Sequence, residues 1–300
     1  MNQSVDLSII IVSYNTKDIL RGCLESIFAH TKMKYTYKVI VVDNASKDGS
    51  TEMVKENFST VFLIENTQNV GFSKANNQGI KKSKGQYVLF LNSDTVVYDK
   101  TLETMITFMD SHKDAGAATC RVGLSDGNLD DAAHRGFPSP WNAFCHFSGL
   151  SKFFSRSKLF SGYSMGWMDI TKIHEIDACA GAFMIVRRDA GEQIDWWDED
   201  FFWYGDDLDF CYRLKEKKWK IYFVPTVSIL HYKGVSGGIK KISEHLTTAD
   251  NKTKNLATKA RFDAMKIFYK KHYVKKYPQF ITWLVMQGIN LKLWFTSANM

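Results

Sequence analysis

Apolar and polar positions switch between two periods along the first 120 residues. Leu7–Ser13 is a nearly continuous apolar, β-branched run, which reads as a strand buried on both faces. Thr16–Phe28 changes period and places Ile19, Leu20, Cys23, Leu24, Ile27 and Phe28 on one helical face. The alternation then repeats. Tyr37–Val42, Val61–Ile64, Gln86–Leu91 and Ala115–Cys120 read as further buried strands. Asp48–Asn57 (capped near Ser46 or Asp48), Ser73–Lys82 and Thr101–Ser111 read as the helices between them. Buried strands separated by helices predict an α/β fold, with a mostly parallel, doubly wound central sheet flanked by helices.

From Arg121 to Glu175 periodicity weakens, and Gly, Ser and aromatics mix with basic residues. A stretch that long inside a folded domain predicts a lid or an insert that binds a second substrate. Regular patterns return at Ile176–Arg187 (strand), Asp206–Lys217 (helix), and Ile221–Val224 with Val227–His231 (strands around Pro225). A basic helical stretch follows over Lys241–Tyr273. The organisation expected is residues 1–240 as one α/β domain, with halves at about 1–120 and 121–240. Residues 241–300 form a basic helical C-terminal extension.

Charge and cysteine content narrow the setting. The net charge is +7, yet residues 251–300 alone carry ten Lys/Arg and one acid, leaving the first 250 residues slightly acidic. A basic tail on a near-neutral body suits an anionic surface, nucleic acid or a phospholipid leaflet. Phe280–Phe295 is apolar but interrupted by Gln287, Asn290 and Lys292, too polar and too short to span a bilayer. With Lys270, Lys271, Lys275 and Lys276 upstream and Trp283 and Trp294 within, it fits an interfacial anchor. The alternative is a helix packed on the body or on a second subunit, and the charge asymmetry favours the membrane reading. Met1–Asp6 is polar, so no secretory leader is expected. Five scattered cysteines without CxxC spacing point to a reducing, cytoplasmic setting and against a thiolate zinc site.

The candidate chemistry lies at strand ends, where open parallel sheets form their ligand crevice. Ser13-Tyr14-Asn15, Asp43-Asn44-Ala45-Ser46, Asn66–Asn76 and Asn92-Ser93-Asp94 are four polar clusters in such positions. Asp43 suits a nucleobase N–H or a ribose hydroxyl, or caps the next helix with Ser46. Gly71 permits close backbone approach, and the helix start after it suits a pyrophosphate. There is no GxGxxG after the first strand and no GxxxxGK[ST], so dinucleotide and P-loop readings lack their fingerprints. Asp94 suits a carboxylate holding Mg²⁺ or Mn²⁺ against a nucleotide diphosphate, and His231 is placed to share that ion or to be structural. Asp198–Leu214 packs six carboxylates among aromatic rings, and Asp206 and Asp207 open a helix. The positive end of a helix favours ionised carboxylates. Rings that stack on a sugar face beside a carboxylate that takes a hydroxyl proton suit a sugar-handling site.

These motifs, in order, resemble a family 2 glycosyltransferase with a GT-A fold, a Rossmann-like sheet. The matching segments are Ile9–Asn15, Val41–Ser50, Asn69–Phe72 with Asn76–Ile80, Leu91–Asp94, Gly181–Met184, Asp198–Leu214 and His231–Ser236. The Asp-Asn-Ala-Ser and Asn-Val-Gly-Phe forms are similar to the rhamnosyltransferase-like branch that builds bacterial surface polysaccharides. The resemblance implies that Asp43 holds the nucleobase or ribose and that Ser13, Tyr14 and Asn15 line the nucleotide pocket. It implies that Asn69, Gly71, Phe72 and Asn76 shape the pyrophosphate and donor-sugar pocket, with Asn92, Ser93 and Asp94 at its metal edge. Asp94 then matches the last carboxylate of the Asp-x-Asp metal motif, His231 the metal histidine and Asp207 the catalytic base. Asn92 replaces the motif's usual first Asp, and Asp206 replaces a frequent Glu. Trp203, Tyr204 and Asp206 are the expected acceptor platform.

The activity so implied is metal-dependent, inverting transfer from a dTDP- or UDP-sugar, dTDP-rhamnose foremost, to a lipid-linked or polysaccharide acceptor. The setting implied is the inner face of the cell membrane, and a homo-oligomer is possible. Three other classes compete. A nucleotidyltransferase on a similar sheet needs a Gly-rich basic loop where Ser13-Tyr14-Asn15-Thr16 stands. A catalytically silent carbohydrate-binding protein has no need of Asp94, Asp207 and His231 together. A nucleic-acid binder is disfavoured because the basic residues accompany an apolar, Trp-containing tail and no recognised reader module.

Overall fold

The computed structural model describes residues 5–29 and 34–298, with side chains to residue 296; Met1–Ser4, part of the polar N-terminus in which no leader was expected, lie outside them. The expected α/β alternation is present. The strands and helices run β1 (Leu7–Ser13), α1 (Lys17–Ala29), β2 (Tyr37–Asp43), α2 (Ser50–Asn57), β3 (Phe62–Glu65), α3 (Phe72–Lys82), β4 (Tyr87–Asn92), β5 (Thr95–Val97), α4 (Thr101–Ser111) and β6 (Ala115–Leu124). They continue with α5 (Pro140–Phe147), α6 (Leu150–Phe153), β7 (His174–Ile176), β8 (Phe183–Arg187), α7 (Arg188–Glu192), α8 (Asp206–Glu216), β9 (Lys220–His231), α9 (Asn251–His272) and α10 (Gln279–Ala298).

Among the described residues the strands form one sheet, ordered β3-β2-β1-β4-β8-β6-β9-β5, with β7 also paired to β9. β3, β2, β1 and β4 are parallel. Beyond β4 the sheet is mixed, because β8 runs antiparallel to both β4 and β6. The run at Ala115 therefore does not extend the parallel half directly. The two runs around Pro225 form one bent strand: β9 pairs with β6 throughout, with a register shift at Cys120/Arg121 that skips Pro225–Val227. Proline cannot donate to a ladder, and a bulge accommodates it. The run expected over Ile176–Arg187 splits into β7 and β8. The α2 start is Gly49 in the left-handed region, and Asp48 accepts instead from the Ser50 backbone and hydroxyl.

Strand alternation gives the sheet two packed faces. Ile9, Ile11, Val39, Val41, Leu89 and Leu91 meet the α1 stripe of Leu20, Cys23, Leu24 and Ile27 and the inner face of α4. Ile10, Ile40, Val42, Val88 and Phe90 meet α3, α8 and the rings of Trp196 and Trp197. Each buried Leu, Ile or Phe contributes roughly 1.5–3 kcal/mol. The five cysteines are all free and buried.

The segment expected to be a lid or insert contains real structure: the end of β6, a 3-10 turn at 131–133, α5, α6 and β7. α9 is held to the body. His272 lies 2.7 Å from Asp209, Phe268 and Tyr212 meet edge to face, and Lys271 pairs with Asp198 and Asp200. Lys276 meets the Tyr212 hydroxyl. Part of the basic tail therefore secures the helix rather than facing outward. α10 folds back on α9, with Val285 and Met286 half-buried against it. Among the described residues no helix is long and apolar enough to cross a membrane.

Candidate active site

Polar turns at the ends of β1, β2, β3 and β4 open onto one cavity of about 480 Å³. Tyr14, Asn69, Gly71, Phe72, Asn92, Ser93 and Asp94 line it from the N-terminal half. Trp203, Tyr204, Asp206, Asp207 and His231 line it from the C-terminal half. Twelve of the sixteen residues singled out in the sequence thus share one wall. Ser13, Asn15, Asp43 and Asn76 do not line it.

Those four support the wall from behind. The Ser13 hydroxyl meets that of Thr16 at 3.1 Å. Asn15, at positive φ, accepts from the Lys47 N–H and donates its own N–H to the Ser46 hydroxyl, locking the β1 and β2 turns together. Asn76 donates to the Phe72 carbonyl inside α3. Asp43 is 2% exposed; one carboxylate oxygen accepts from the Ser46 N–H within the turn after β2, not at the α2 start as a helix cap would, and the other is buried without a partner. Burial pushes this carboxyl above its usual range, against the hydrogen bonds from Ser46. An orphaned buried oxygen at a strand end is what a ligand N–H or hydroxyl satisfies.

The α3 entrance is built by contacts distant in sequence. Gly71 has φ 87°, and a Cβ there would lie 2.8 Å from both the ring and the carbonyl oxygen of Phe202. Asn69 accepts from the Gly71 N–H, and Asn44 donates to the Gly71 carbonyl. The Phe72 N–H is already held by the Phe202 carbonyl at 2.9 Å, so the α3 start has fewer free donors than its sequence implied.

Asp94 and His231 are brought together by the β5–β9 pair. Their Oδ1 and Nε2 atoms are 3.2 Å apart, and the Asn92 amide lies 3.5 Å from Nε2. On the far side of the ring, Nδ1 lies 2.9 Å from Asp130, which Lys233 also contacts at 2.7 Å. The other Asp94 oxygen accepts from the Gly234 and Val235 N–H groups. Burial alone would raise the Asp94 carboxyl; His231 and these N–H groups outweigh it and hold it low. Burial would likewise depress His231, but Asp94 and Asp130 lift it to about 9.

These donors fit a hard divalent cation in part. One carboxylate and one imidazole nitrogen face each other at a separation suited to shared ligation, with a neutral amide beside them. Among the described residues, no group of three or more His, Cys, Asp or Glu is placed to hold a metal. The remaining coordination would have to come from ligand phosphates and water, as Mg²⁺ commonly takes it. Asp130 at Nδ1 leaves Nε2 as the nitrogen facing Asp94, the arrangement typical of ligating histidines.

Across the cavity, α8 starts after Gly205, which is in the left-handed region with φ 73°. Asp206 is buried and has one unpartnered oxygen. Burial and the adjoining Asp207 raise its pKa to about 8, so the helix start does not keep this carboxylate ionised. Burial overrides the dipole here, because a helix end is worth only about 0.3–2 kcal/mol. Asp207 accepts from the Leu208 N–H on one oxygen and from Arg135 at 2.6 Å on the other. Arg135 also donates to the Tyr163 hydroxyl. Trp203 and Tyr204 stack nearly parallel, 5.8 Å between ring centroids.

Asp130, Lys233 and Arg135 were not singled out from the sequence. The first and last lie where periodicity fails, as single residues in irregular backbone. For Asp130 and Arg135 only the expectation that the insert contributes to a second-substrate pocket pointed toward them; Lys233 lies within the matching His231–Ser236 segment, which carried no role for it.

The geometry can be set beside known proteins. The model of Glycosyl transferase family 2 matches residues 8–195. Rhamnosyltransferase WbbL of Escherichia coli (strain K12) is 27% identical over 234 residues, 75% of this chain and 82% of that protein. The N-acetylglucosaminyl-diphospho-decaprenol L-rhamnosyltransferase of Mycobacterium tuberculosis is 25% identical over 243 residues, 77% of this chain and 78% of that protein. Among solved structures, GalNAc-T7 with UDP, GalNAc and Mn²⁺ superposes with TM-score 0.58 at 18% identity, over 77% of this chain and 44% of that one. S. aureus TarS gives TM-score 0.53 at 16% identity, over 88% of this chain and 44% of that one. The chain spans less than half of those two proteins, and at such identity they are likenesses of fold. With the family model matching more than half of its length, the chain belongs to glycosyl transferase family 2 and is a glycosyltransferase.

Proposed function

We propose that the protein is a metal-dependent, inverting transferase that moves rhamnose from dTDP-rhamnose to a lipid-linked acceptor in bacterial surface glycan synthesis. One observation carries this reading: Asp207 at the start of α8 faces the same cavity as the Asp94–His231 pair. The similarity to two rhamnosyltransferases, one of them named for a diphospho-decaprenol acceptor, supports the choice of donor and acceptor. In this reading residues 1–120 bind the donor, residues 121–240 the acceptor, and residues 241–300 hold the enzyme at the inner face of the membrane.

Asp94 and His231, with Asn92 beside them, would hold Mn²⁺ or Mg²⁺. A bound divalent cation neutralises the charge that develops on a departing nucleoside diphosphate. Tyr14 lines the nucleoside side of the cavity, and Asp43, buried behind that wall, offers its orphaned oxygen to a base N–H or ribose hydroxyl that reaches it. Asn69, Gly71 and Phe72 bound the donor sugar, and Trp203 and Tyr204 offer a flat face to the acceptor. Asp207 takes the proton from the acceptor hydroxyl, whose oxygen attacks the anomeric carbon opposite the leaving diphosphate. Arg135 and the Leu208 N–H fix the Asp207 carboxylate for that step. Burial and the adjoining Asp207 raise the Asp206 pKa to about 8, which makes Asp206 the proton-holding member of the pair.

Thermal shifts with dTDP-, UDP- and GDP-sugars, each with and without Mn²⁺, test donor and metal together. Metal-dependent stabilisation by dTDP-rhamnose is expected. A response to UDP-sugars alone changes the sugar assignment, and no response to any of them removes the transferase reading of this cavity. Asp207→Asn should lower transfer by roughly 10²–10⁴-fold, the usual contribution of a general base, with donor affinity nearly unchanged. Retained transfer would exclude Asp207 as the base.

A further inference from the structure

The same cavity has a cationic wall that the donor chemistry does not use. Two helices build it. On α9, Arg261, Met265 and Phe268 follow at spacings of four and three, so they share a face; on α10, Val285, Ile289 and Lys292 do the same. All but Lys292 line the cavity, and Lys292 lies 3.3 Å from the centroid of the Phe147 ring on α5, another lining residue. Each helix thus carries an apolar stripe into the cavity and ends it in a cation. Lys240, in the loop after Gly234, also lines the cavity.

These cations have no direct ion-pair partner among the described residues, although Asp131 and Asp130 offset part of the repulsion at Lys240. Among the described residues, Arg261, Lys240 and Lys292 pair with no carboxylate, whereas the nearby Asp130 and Asp131 are both taken by Lys233. They also repel one another. Burial, then Arg261, pushes Lys292 down to about 8, and burial, then Arg261 and Lys233, lowers Lys240. His146 is lowered by burial and by Lys292. Like charges gathered in a partly buried wall, with the nearest acids Asp130 and Asp131 already paired to Lys233, cost stability, and an anion arriving there relieves that cost. Leu291 and Trp294 on α10 and Phe144 on α5, together with the lining residue Phe147, are each more than half exposed.

We propose that Arg261 and Lys292, joined by Lys240, seat the diphosphate of a prenyl-diphosphate-linked acceptor. Its chain runs over the exposed apolar residues of α5 and α10, and its sugar reaches toward Asp207. A group with two adjacent phosphates beside a long hydrocarbon matches this ordering of cations and apolar surface. The identity of the acceptor rests on the transferase reading; the anion seat itself does not.

Calorimetric titration of the full chain separates the two. Farnesyl diphosphate in EDTA reports the seat, and UDP or dTDP with Mn²⁺ reports the donor site. The expected result is that farnesyl diphosphate binds at least about tenfold more tightly than farnesol, with affinity falling as salt rises. Arg261→Gln and Lys292→Gln should each weaken it about tenfold, a charge-assisted bond lost, while Arg261→Lys keeps most of the affinity. Nucleoside diphosphate affinity should change less than about twofold in all three variants. Both residues lie at or near the surface, so folding is not at risk, and a melting curve for each variant verifies this. Equal binding of farnesol, variants that leave farnesyl diphosphate binding intact, or variants that weaken nucleotide and farnesyl diphosphate alike would each overturn the proposal. Failure of the unmutated protein to bind any nucleotide would count against the transferase reading alone.

Discussion

Asp206 and Asp207 are adjacent in the chain and face one cavity, yet their surroundings divide them. Asp207 has Arg135 and a helix N–H; Asp206 has burial, a like-charged neighbour and an oxygen with no partner. The folded state therefore holds the Asp206 proton to about pH 8, far above the ordinary aspartate value. With the folded pKa raised, the native state binds more protons than the unfolded one between about pH 4 and pH 8, and stability falls as pH rises through that window. Asp206→Asn removes this dependence. Melting temperatures across pH 5–8 should show the variant gaining on the parent protein steadily toward pH 8, by about 2–4 °C for each kcal/mol. Parallel profiles would mean that Asp206 is already ionised in the fold. The resemblance gave the two aspartates different roles, but this difference in protonation was not legible in the sequence, where both stand at a helix start. Burial separates them, and burial is set by segments far away in the chain.

The elements differ in how far sequence reveals them. β1, α1, β2, α3, β4 and α4 lie within a residue or two of the runs their periodicity predicts, because each buries a stripe against one of two continuous cores. Strand direction is another matter. An apolar run carries no sign of whether its neighbour is parallel, so the antiparallel insertion of β8 between β4 and β6 is visible only in the structure. The α3 turn shows the same boundary. Gly71 was legible as a close-approach glycine, but the body it approaches, Phe202, belongs to the opposite half of the site. That contact makes a prediction at this scale. In Gly71→Ala the Cβ meets the Phe202 ring and carbonyl at 2.8 Å, on backbone at φ 87°. A rigid side chain and a carbonyl cannot both retreat, so a loss of about 2 kcal/mol or more is expected in urea unfolding. Donor affinity should fall with it, because the same contact positions the start of α3. A variant with wild-type stability would show that the turn tolerates movement of Phe202.

At the scale of the whole molecule, charge and apolar surface are both concentrated at the C-terminal end, but less simply than the sequence suggested. Lys271 and Lys276 are turned back onto Asp198, Asp200, Tyr212 and Glu216, so they anchor α9 and are not free for a surface. Lys270 and Lys275 remain exposed, and α10 exposes Phe280, Trp283, Leu284, Leu291, Trp294 and Phe295. Aromatic residues on one exposed helix beside lysines suit the headgroup boundary of an anionic leaflet. The same face would equally close a dimer, so the two outcomes need one experiment. The full chain should co-sediment with phosphatidylglycerol vesicles, and not with phosphatidylcholine vesicles, in low salt. Trp283→Ala with Trp294→Ala should weaken that binding at least about tenfold, since each removes a large apolar group from the interface. Sedimentation velocity of the same proteins without lipid distinguishes the alternative. A dimer that the double variant splits, with no vesicle binding, would assign the α10 face to a second copy of the chain. A monomer that binds vesicles would place the cavity at the leaflet, where a prenyl-linked acceptor presents its head group.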